Sequence, residues 1–315
     1  MHFDICVCTH NPRGDIFEKV LESIFNQQIT NEHSFSVFVI DSASTPAVSA
    51  SAFDRYSDSG IRTNLIRVPV AGIAKARLTA VEATSAPWVL FVDDDNELSP
   101  DYLLKGAEII CRNPKLGCFG GKLLLPDTLK PPLWVHPLLP YLGIKNHGEE
   151  RVECLSREWG IWEPPTAGAF VHRDVLAEFF RKSSASADFF RLGRTSKNLL
   201  SCEDSFLMRG ASNAGLNNAY EPSLVLWHHL DPLRFRFGYL LRLMYGYGVS
   251  HVILGKLCHG DGRMPDYYAS ILRFLKMIFS ILLVQGRSSP LYALCMAAYH
   301  WGARQEHFIQ IKERA

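Results

Sequence analysis

The 315-residue chain lacks most of the features that would sort it at a glance. Its eight cysteines (6, 8, 111, 118, 154, 202, 258 and 295) form no Cys-x-x-Cys pair, which excludes a zinc finger or ribbon. An excess of one charge is absent. Lys and Arg number 33 against 32 Asp and Glu, so no global field points to nucleic acid. No internal repeat or low-complexity tract interrupts the sequence. Met1-His2-Phe3-Asp4 carries no secretory signal, so the thiols are expected to be reduced and the protein cytoplasmic. Long apolar runs are missing too. Ile271 to Val284 holds Arg273 and Lys276 and is short for a membrane span, which favours a core or interfacial helix. With 47% hydrophobic residues the chain can bury a large core, as one large domain or one domain plus an appendage.

What is present begins with Val89-Leu-Phe-Val-Asp93-Asp94-Asp95, a β-forming run behind Pro87 that ends in three carboxylates. Adjacent carboxylates repel unless a cation neutralises them. The stretch therefore reads as a site for Mg²⁺ or Mn²⁺ shared with a diphosphate, against the plainer reading of a solvated acidic turn before a helix near Ser99-Pro100-Asp101. Upstream, Phe3–Cys8 reads as a strand ending at Thr9-His10-Asn11-Pro12-Arg13. A helix with apolar Ile16, Val20, Leu21, Ile24 and Phe25 follows. A second strand, 35–40, ends in Asp41. Residues 47–60 read as a loop, 64–68 as a short strand, and Gly72 leads into a helix bearing Lys75 and Arg77.

Strands alternating with helices imply parallel βαβ units with a ligand crevice at the strand ends, and Thr9, Asp41, Arg77, Asp93 and Asp95 share that rim. Further on, residues 126–165 read as a long Pro- and Trp-rich loop or hairpin. Residues 167–173 read as a turn and strand entering a helix at Asp174, and 201–209 as a helix start with Glu203 and Asp204 in its first turn. Residues 223–227 read as a strand ending at His228-His229. The tail from about residue 233 is basic and aromatic, then apolar at 271–284 and 291–301. Its helices either pack on their own domain or dock on a membrane surface.

In order and spacing these elements resemble the family 2 glycosyltransferases, over residues 3 to about 235. The resemblance rests on Cys8-Thr-His-Asn-Pro12, Val39-Ile-Asp41-Ser-Ala-Ser-Thr45, Ala76-Arg77, Asp93-Asp94-Asp95 and Glu203-Asp204. It implies an α/β, Rossmann-like GT-A nucleotide-sugar transferase fold with a mostly parallel central sheet. Residues 1–232 would form the catalytic domain (nucleotide-sugar half about 1–98, acceptor half about 99–232), and 233–315 a helical C-terminal extension. The reaction implied is inverting transfer from a nucleotide-diphosphate sugar, UDP-sugar favoured, to a glycan or lipid-linked acceptor, in surface polysaccharide synthesis.

By the same resemblance, Asp95 and Asp93 would hold the metal with Asp94 in support. Thr9 and Asn11 would lie beside the nucleoside, Asp41 would accept a hydrogen bond from the base, and Arg77 would stand near base and phosphate. Asp204 would be the general base, with Glu203 orienting it or the acceptor. A His-x-aliphatic-x-x-x-Arg pattern gives His228 as a third metal ligand, with His229 as the other candidate, and Arg234 toward the diphosphate. Trp159, Trp162 and Gly168 fall where the family shapes its acceptor pocket.

The chain departs from its relatives at Thr45-Pro46, where many carry another acid, and at Leu78, where Asn is frequent. Arg234-Phe-Arg236 does not reproduce the Gln-x-x-Arg-Trp of processive members, which implies addition of one sugar. Two other readings remain at this point. A sugar-1-phosphate nucleotidyltransferase would need a Gly-rich basic loop after the first strand, which Thr9–Gly14 reproduces poorly. A non-catalytic sugar-binding protein would not need the acids.

Overall fold

The computed structural model describes residues 1–195, 198–260, 268, 270–285 and 289–314. In chain order the elements are β1 (His2–Thr9), α1 (Gly14–Phe25), β2 (Ser34–Ser42), β3 (Arg62–Val68), α2 (Ile73–Ala83), β4 (Trp88–Asp93), β5 (Asn96–Leu98) and α3 (Tyr102–Arg112). They continue as β6 (Leu116–Leu124), β7 (Val152–Cys154), β8 (Ala169–His172), α4 (Arg173–Ser184), α5 (Glu203–Asn213) and β9 (Asn217–His228). Three helices close the chain: α6 (Phe237–His259), α7 (Ile271–Val284) and α8 (Pro290–Arg314).

The strands form one sheet in the order β3-β2-β1-β4-β8-β6-β9-β5, with β7 pairing β9. The block β3-β2-β1-β4 is parallel throughout, and β6 runs parallel to β9; β8 is antiparallel to both its neighbours. Period-two alternation sends β1 side chains to opposite faces. Phe3, Ile5 and Val7 join the core under α1 and α3, while Cys6 and Cys8 join the core under α2, α4 and α5. The two cysteines share a face, as their spacing requires. On α1 the buried stripe is Phe17, Val20, Leu21, Ile24 and Phe25, at helical spacing, with Phe17 taking the place expected of Ile16.

Several elements differ from the sequence reading. Residues 50–59, read as loop, form a 3-10 helix because Phe53 and Tyr56 have apolar partners; the Tyr56 ring stacks on Phe25 at 4.0 Å between centroids. Strand β6 escaped notice because Gly117, Gly120 and Gly121 break its pattern and it is buried on both faces. β9 starts at Asn217, six residues early, and passes through Pro222 where the pairing with β6 shifts register; a proline is tolerated at such an irregularity. The segment 126–165 carries a 3-10 helix, Leu133–Leu142, whose Val135, Leu138 and Leu142 pack on Leu240, Leu243 and Met244 of α6.

α6 itself runs 23 residues, where the sequence showed only a basic, aromatic stretch. Its Val249, Ile253 and Leu254 enter the same core as Leu207 and Met208 of α5, so this part of the tail is packed on the sheet domain. α6 and α8 meet backbone to backbone. A Cβ at Gly248 would collide with the Tyr299 carbonyl, and one at Gly302 with the Tyr245 carbonyl. Both obstacles are backbone atoms that cannot rotate away. Gly248→Ala is expected to destabilise the protein by about 1–3 kcal/mol, read as a lowered urea midpoint at unchanged slope, whereas Gly255→Ala, where nothing lies within 4 Å, should not.

Candidate active site

Strand register brings the chemistry to one edge. Thr9 stands opposite Asp41 and Cys8 opposite Asp93, so the ends of β1, β2 and β4 are level. Beyond Asp95 the chain turns into β5, which pairs antiparallel with the end of β9 and sets Asn96 against His228. The backbone N–H of His229 donates to the Asp95 carbonyl at 2.8 Å, locking that turn. From the far side of the sequence, α5 presents Glu203 and Asp204 in its first turn. The result is a cleft of about 350 Å³ lined by Thr9, Arg77, all three acids of the triplet, Glu203, Asp204, His228 and Arg234. Side chains separated by more than a hundred positions thus face one space.

The three acids are not equivalent. Burial alone would raise Asp95, but His228 at 3.1 Å and Arg234 at 3.5 Å overcome it and hold this carboxyl well below the usual range. Asp94 is pushed up to about 7, first by burial and then by Asp95 and Asp93, and accepts a hydrogen bond from the Thr9 hydroxyl. Asp93 lies 4.0 Å from Arg77. Arg77 is buried and also pairs with Glu203 and donates to Thr166 Oγ1. Burial pushes Glu203 up, and the Arg77 charge opposes it. Asp204 forms no ion pair among the described residues, and its Oδ1 accepts only the N–H of Ser205. Asp204 is thus left without a counter-charge on the cleft side, whereas Glu203 is clamped by arginine.

Other expected residues stand elsewhere. Asp41 is buried, and its two oxygens accept the N–H groups of Ser44 (3.0 Å) and Val48 (3.1 Å), shaping the turn after β2 instead of lining the cleft. Asn11 Oδ1 accepts from Thr45 N–H at 2.7 Å, tying the β1 and β2 turns together. His229 turns away to Glu97 at 2.7 Å, so of this pair only His228 lines the cleft. Trp159 is 60% exposed, and neither it nor Trp162 is among the cleft's lining residues. Gly168 adopts φ +74°, and a side chain there would strike Leu226 and the Tyr102 hydroxyl; it positions β8.

Among the residues on the cleft wall that the sequence did not mark are Arg194, Tyr247 and Thr166. No spacing marks Arg194, which comes from the connection between α4 and α5, and Tyr247 arrives from α6. Backbone strain gives a further sign of the site. The non-glycine residues with left-handed backbone among the described ones are Asn11, Ala43 and Cys202, each at the turn that delivers a cleft element.

Among the described residues no three His, Cys, Asp or Glu side chains already form a ligand cage. The donors nevertheless suit a hard divalent ion. Burial and then the neighbouring Asp95 and Asp93 hold Asp94 at about 7, and the three adjacent carboxylates are a local excess of negative charge that a cation relieves; His228 Nε2 lies 3.1 Å from the Asp95 carboxylate in the same cleft. Ions that bridge phosphates take few protein ligands and complete their shell from substrate and water. Asp93, Asp95 and His228 would hold it. Removing Arg77 would leave Glu203 buried and unpaired. Arg77→Ala is therefore expected to cost roughly 3–5 kcal/mol in denaturant unfolding, with Glu203→Gln costing clearly less.

A search among curated proteins found no match. Among solved structures, Staphylococcus aureus TarS residues 1–349 in complex with UDP shares 16% identity at a TM-score of 0.51, covering 99% of this chain and 92% of that one. The mannosyltransferase PcManGT from Pyrobaculum calidifontis, in complex with GDP-Man and Mn²⁺, shares 16% identity at a TM-score of 0.59, covering 98% and 87%. At these identities the likeness establishes the fold, that of the GT-A glycosyltransferases. The model of the glycosyl transferase family 2 matches residues 4–179, more than half of the chain and all of the parallel block with its acidic triplet. With that match on this fold, the alternatives of a nucleotidyltransferase and of a sugar-binding protein without activity fall away: the chain belongs to glycosyl transferase family 2 and is a glycosyltransferase.

Proposed function

We propose that the protein is an inverting, metal-dependent glycosyltransferase that adds one sugar from a UDP-sugar to a glycan or lipid-linked glycan in surface polysaccharide synthesis. One observation carries this reading: the acids at 93–95 and the Glu203–Asp204 pair open onto the same cleft. Inversion needs the acceptor hydroxyl to attack the anomeric carbon from the face opposite the leaving diphosphate, and that demands two functions across one space. Asp204 removes the hydroxyl proton as the new C–O bond forms and the bond to the diphosphate breaks. Glu203, held by Arg77, orients the acceptor. Arg234 lies against Asp95 and faces the departing diphosphate. A divalent ion at Asp93, Asp95 and His228 would supply charge neutralisation of that leaving group.

UDP is the favoured nucleotide; TarS was solved with UDP, and the Pyrobaculum enzyme with GDP-Man and Mn²⁺ supports both the metal and a GDP alternative. Residues 1–232 are assigned the transfer chemistry and 233–315 a helical extension, in a cytoplasmic protein whose tail contacts the inner face of a membrane.

Thermal-shift measurements with UDP, GDP and dTDP, with and without Mn²⁺, are expected to show the largest shift for UDP with the ion and its loss on chelation. Asp95→Ala should abolish transfer and weaken Mn²⁺-dependent nucleotide binding. Asp204→Asn should keep donor binding near wild type and lower kcat by roughly 10²-fold or more. Donor binding lost in that variant, or turnover retained, removes Asp204 from the role.

A further inference from the structure

Charge that cancels over the whole chain is divided along it. Residues 233–315 carry eleven Lys and Arg against four Asp and Glu, while residues 1–232 carry 22 against 28. Among the described residues, the basic part also holds 12 of the 20 exposed large apolar side chains. α7 is apolar on two sides. Phe274, Met277 and Ile278 point inward and pack with Val252 of α6 and Ala303 of α8. Leu272, Phe279 and Leu283, seven and four residues apart, lie on the opposite side, with Leu272 70% and Phe279 63% exposed; Leu275, at the boundary, lines the pocket between the helices. α7 holds no acid; its charges are Arg273 and Lys276. Elsewhere in the tail Arg191 takes Glu306 and Lys256 takes Asp188, but Arg242, Arg273 and Lys276 form no ion pair among the described residues.

Behind α7 lies an open cavity of about 650 Å³ between α6, α7, α8 and residues 198–200. Leu241, Phe274, Ile278 and Ala298 line it, exposed Arg242 contributes a cation to its wall, and Trp301 is half-exposed beside it. A volume of this size accommodates a small apolar ligand. Among the described residues no helix is long and apolar enough to cross a membrane, and the 14 residues of α7 reach only about 21 Å. A short helix with an outward apolar stripe, flanking cations and a neighbouring tryptophan has the composition of a helix lying in the plane of a bilayer surface.

We propose that α6, α7 and α8 form a monotopic lipid site. The stripe Leu272–Phe279–Leu283 sinks into the acyl boundary of an anionic phospholipid bilayer, Arg273 and Lys276 meet head-group phosphates, and the cavity admits one lipid hydrocarbon chain with Arg242 on its phosphate. Charge complementarity selects this occupant: a second copy of the chain would bring the same unpaired cations to the interface. The site rests on the membrane contact proposed above and is independent of the transfer chemistry.

The test uses the full chain in flotation with vesicles of phosphatidylcholine alone or mixed equally with phosphatidylglycerol. Flotation is expected only with the anionic vesicles and should fall with added salt. Leu272→Glu/Phe279→Glu should abolish it, and Arg273→Gln and Lys276→Gln should each weaken it about fivefold. For the cavity, lysophosphatidylglycerol monomers should produce a saturable change in fluorescence that is lost in Trp301→Phe and in Ala298→Phe. The UDP-dependent thermal shift should persist in every variant, reporting an intact fold; its absence from the wild type would count against the transferase reading alone. Failure of the wild type to float, or equal flotation of the glutamate variant, overturns the docking. So does a dimer that the glutamate substitutions split into monomers without any vesicle binding. No saturable lysolipid signal overturns the chain site.

Discussion

Confinement of like charges is the constraint on which the site depends. Five carboxylates (Asp93, Asp94, Asp95, Glu203 and Asp204) line one cleft, and each must find a counter-charge, keep a proton or remain wet. Arg77 does most to make this tolerable. From α2 it reaches Glu203 on α5, Thr166 before β8 and Asp93 on β4, joining three segments remote in sequence. His228 and Arg234 do the same for Asp95. Asp204 forms no ion pair in this scheme, and Asp94 keeps its proton until near neutrality. The arrangement separates groups that are held from groups that can act.

The sheet supplies the precision. Parallel pairing with level strand ends places Thr9, Asp41 and Asp93 within two strand spacings of each other, and the β5–β9 clasp adds His228 from the other half. Parallel strands buried on both faces leave such polar residues only at their ends, so chemistry gathers at the rim. Left-handed backbone at Asn11, Ala43 and Cys202 shows how sharply the chain turns to deliver these side chains.

The tail obeys another logic. α6 and α8 approach to backbone contact through Gly248 and Gly302 and are anchored on the sheet domain and on the 3-10 helix 133–142. α7 has a partner on one side only. The sequence had left packing and membrane docking as alternatives for this region; α6 and α8 pack against the chain, while the outward face of α7 leaves its apolar groups in solvent.

Short-range pattern alone determined β1 through β4, the helices between them, and the acids at their ends, because period-two and period-3.6 signals and charge at a strand terminus are local properties. Glu203, Asp204 and His228 were marked through the resemblance to family 2 glycosyltransferases. Local pattern could not show β6, whose glycines carry no alternation, or α6, whose small residues make sense only against α8. Nor could it show that Asp41 and Asn11 spend their oxygens on neighbouring turns, that His229 pairs with Glu97, or that Arg194 and Tyr247 reach the cleft. Those outcomes were decided only by tertiary structure, since whether a polar side chain faces a substrate or a nearby backbone group depends on which segments the fold brings within hydrogen-bond reach.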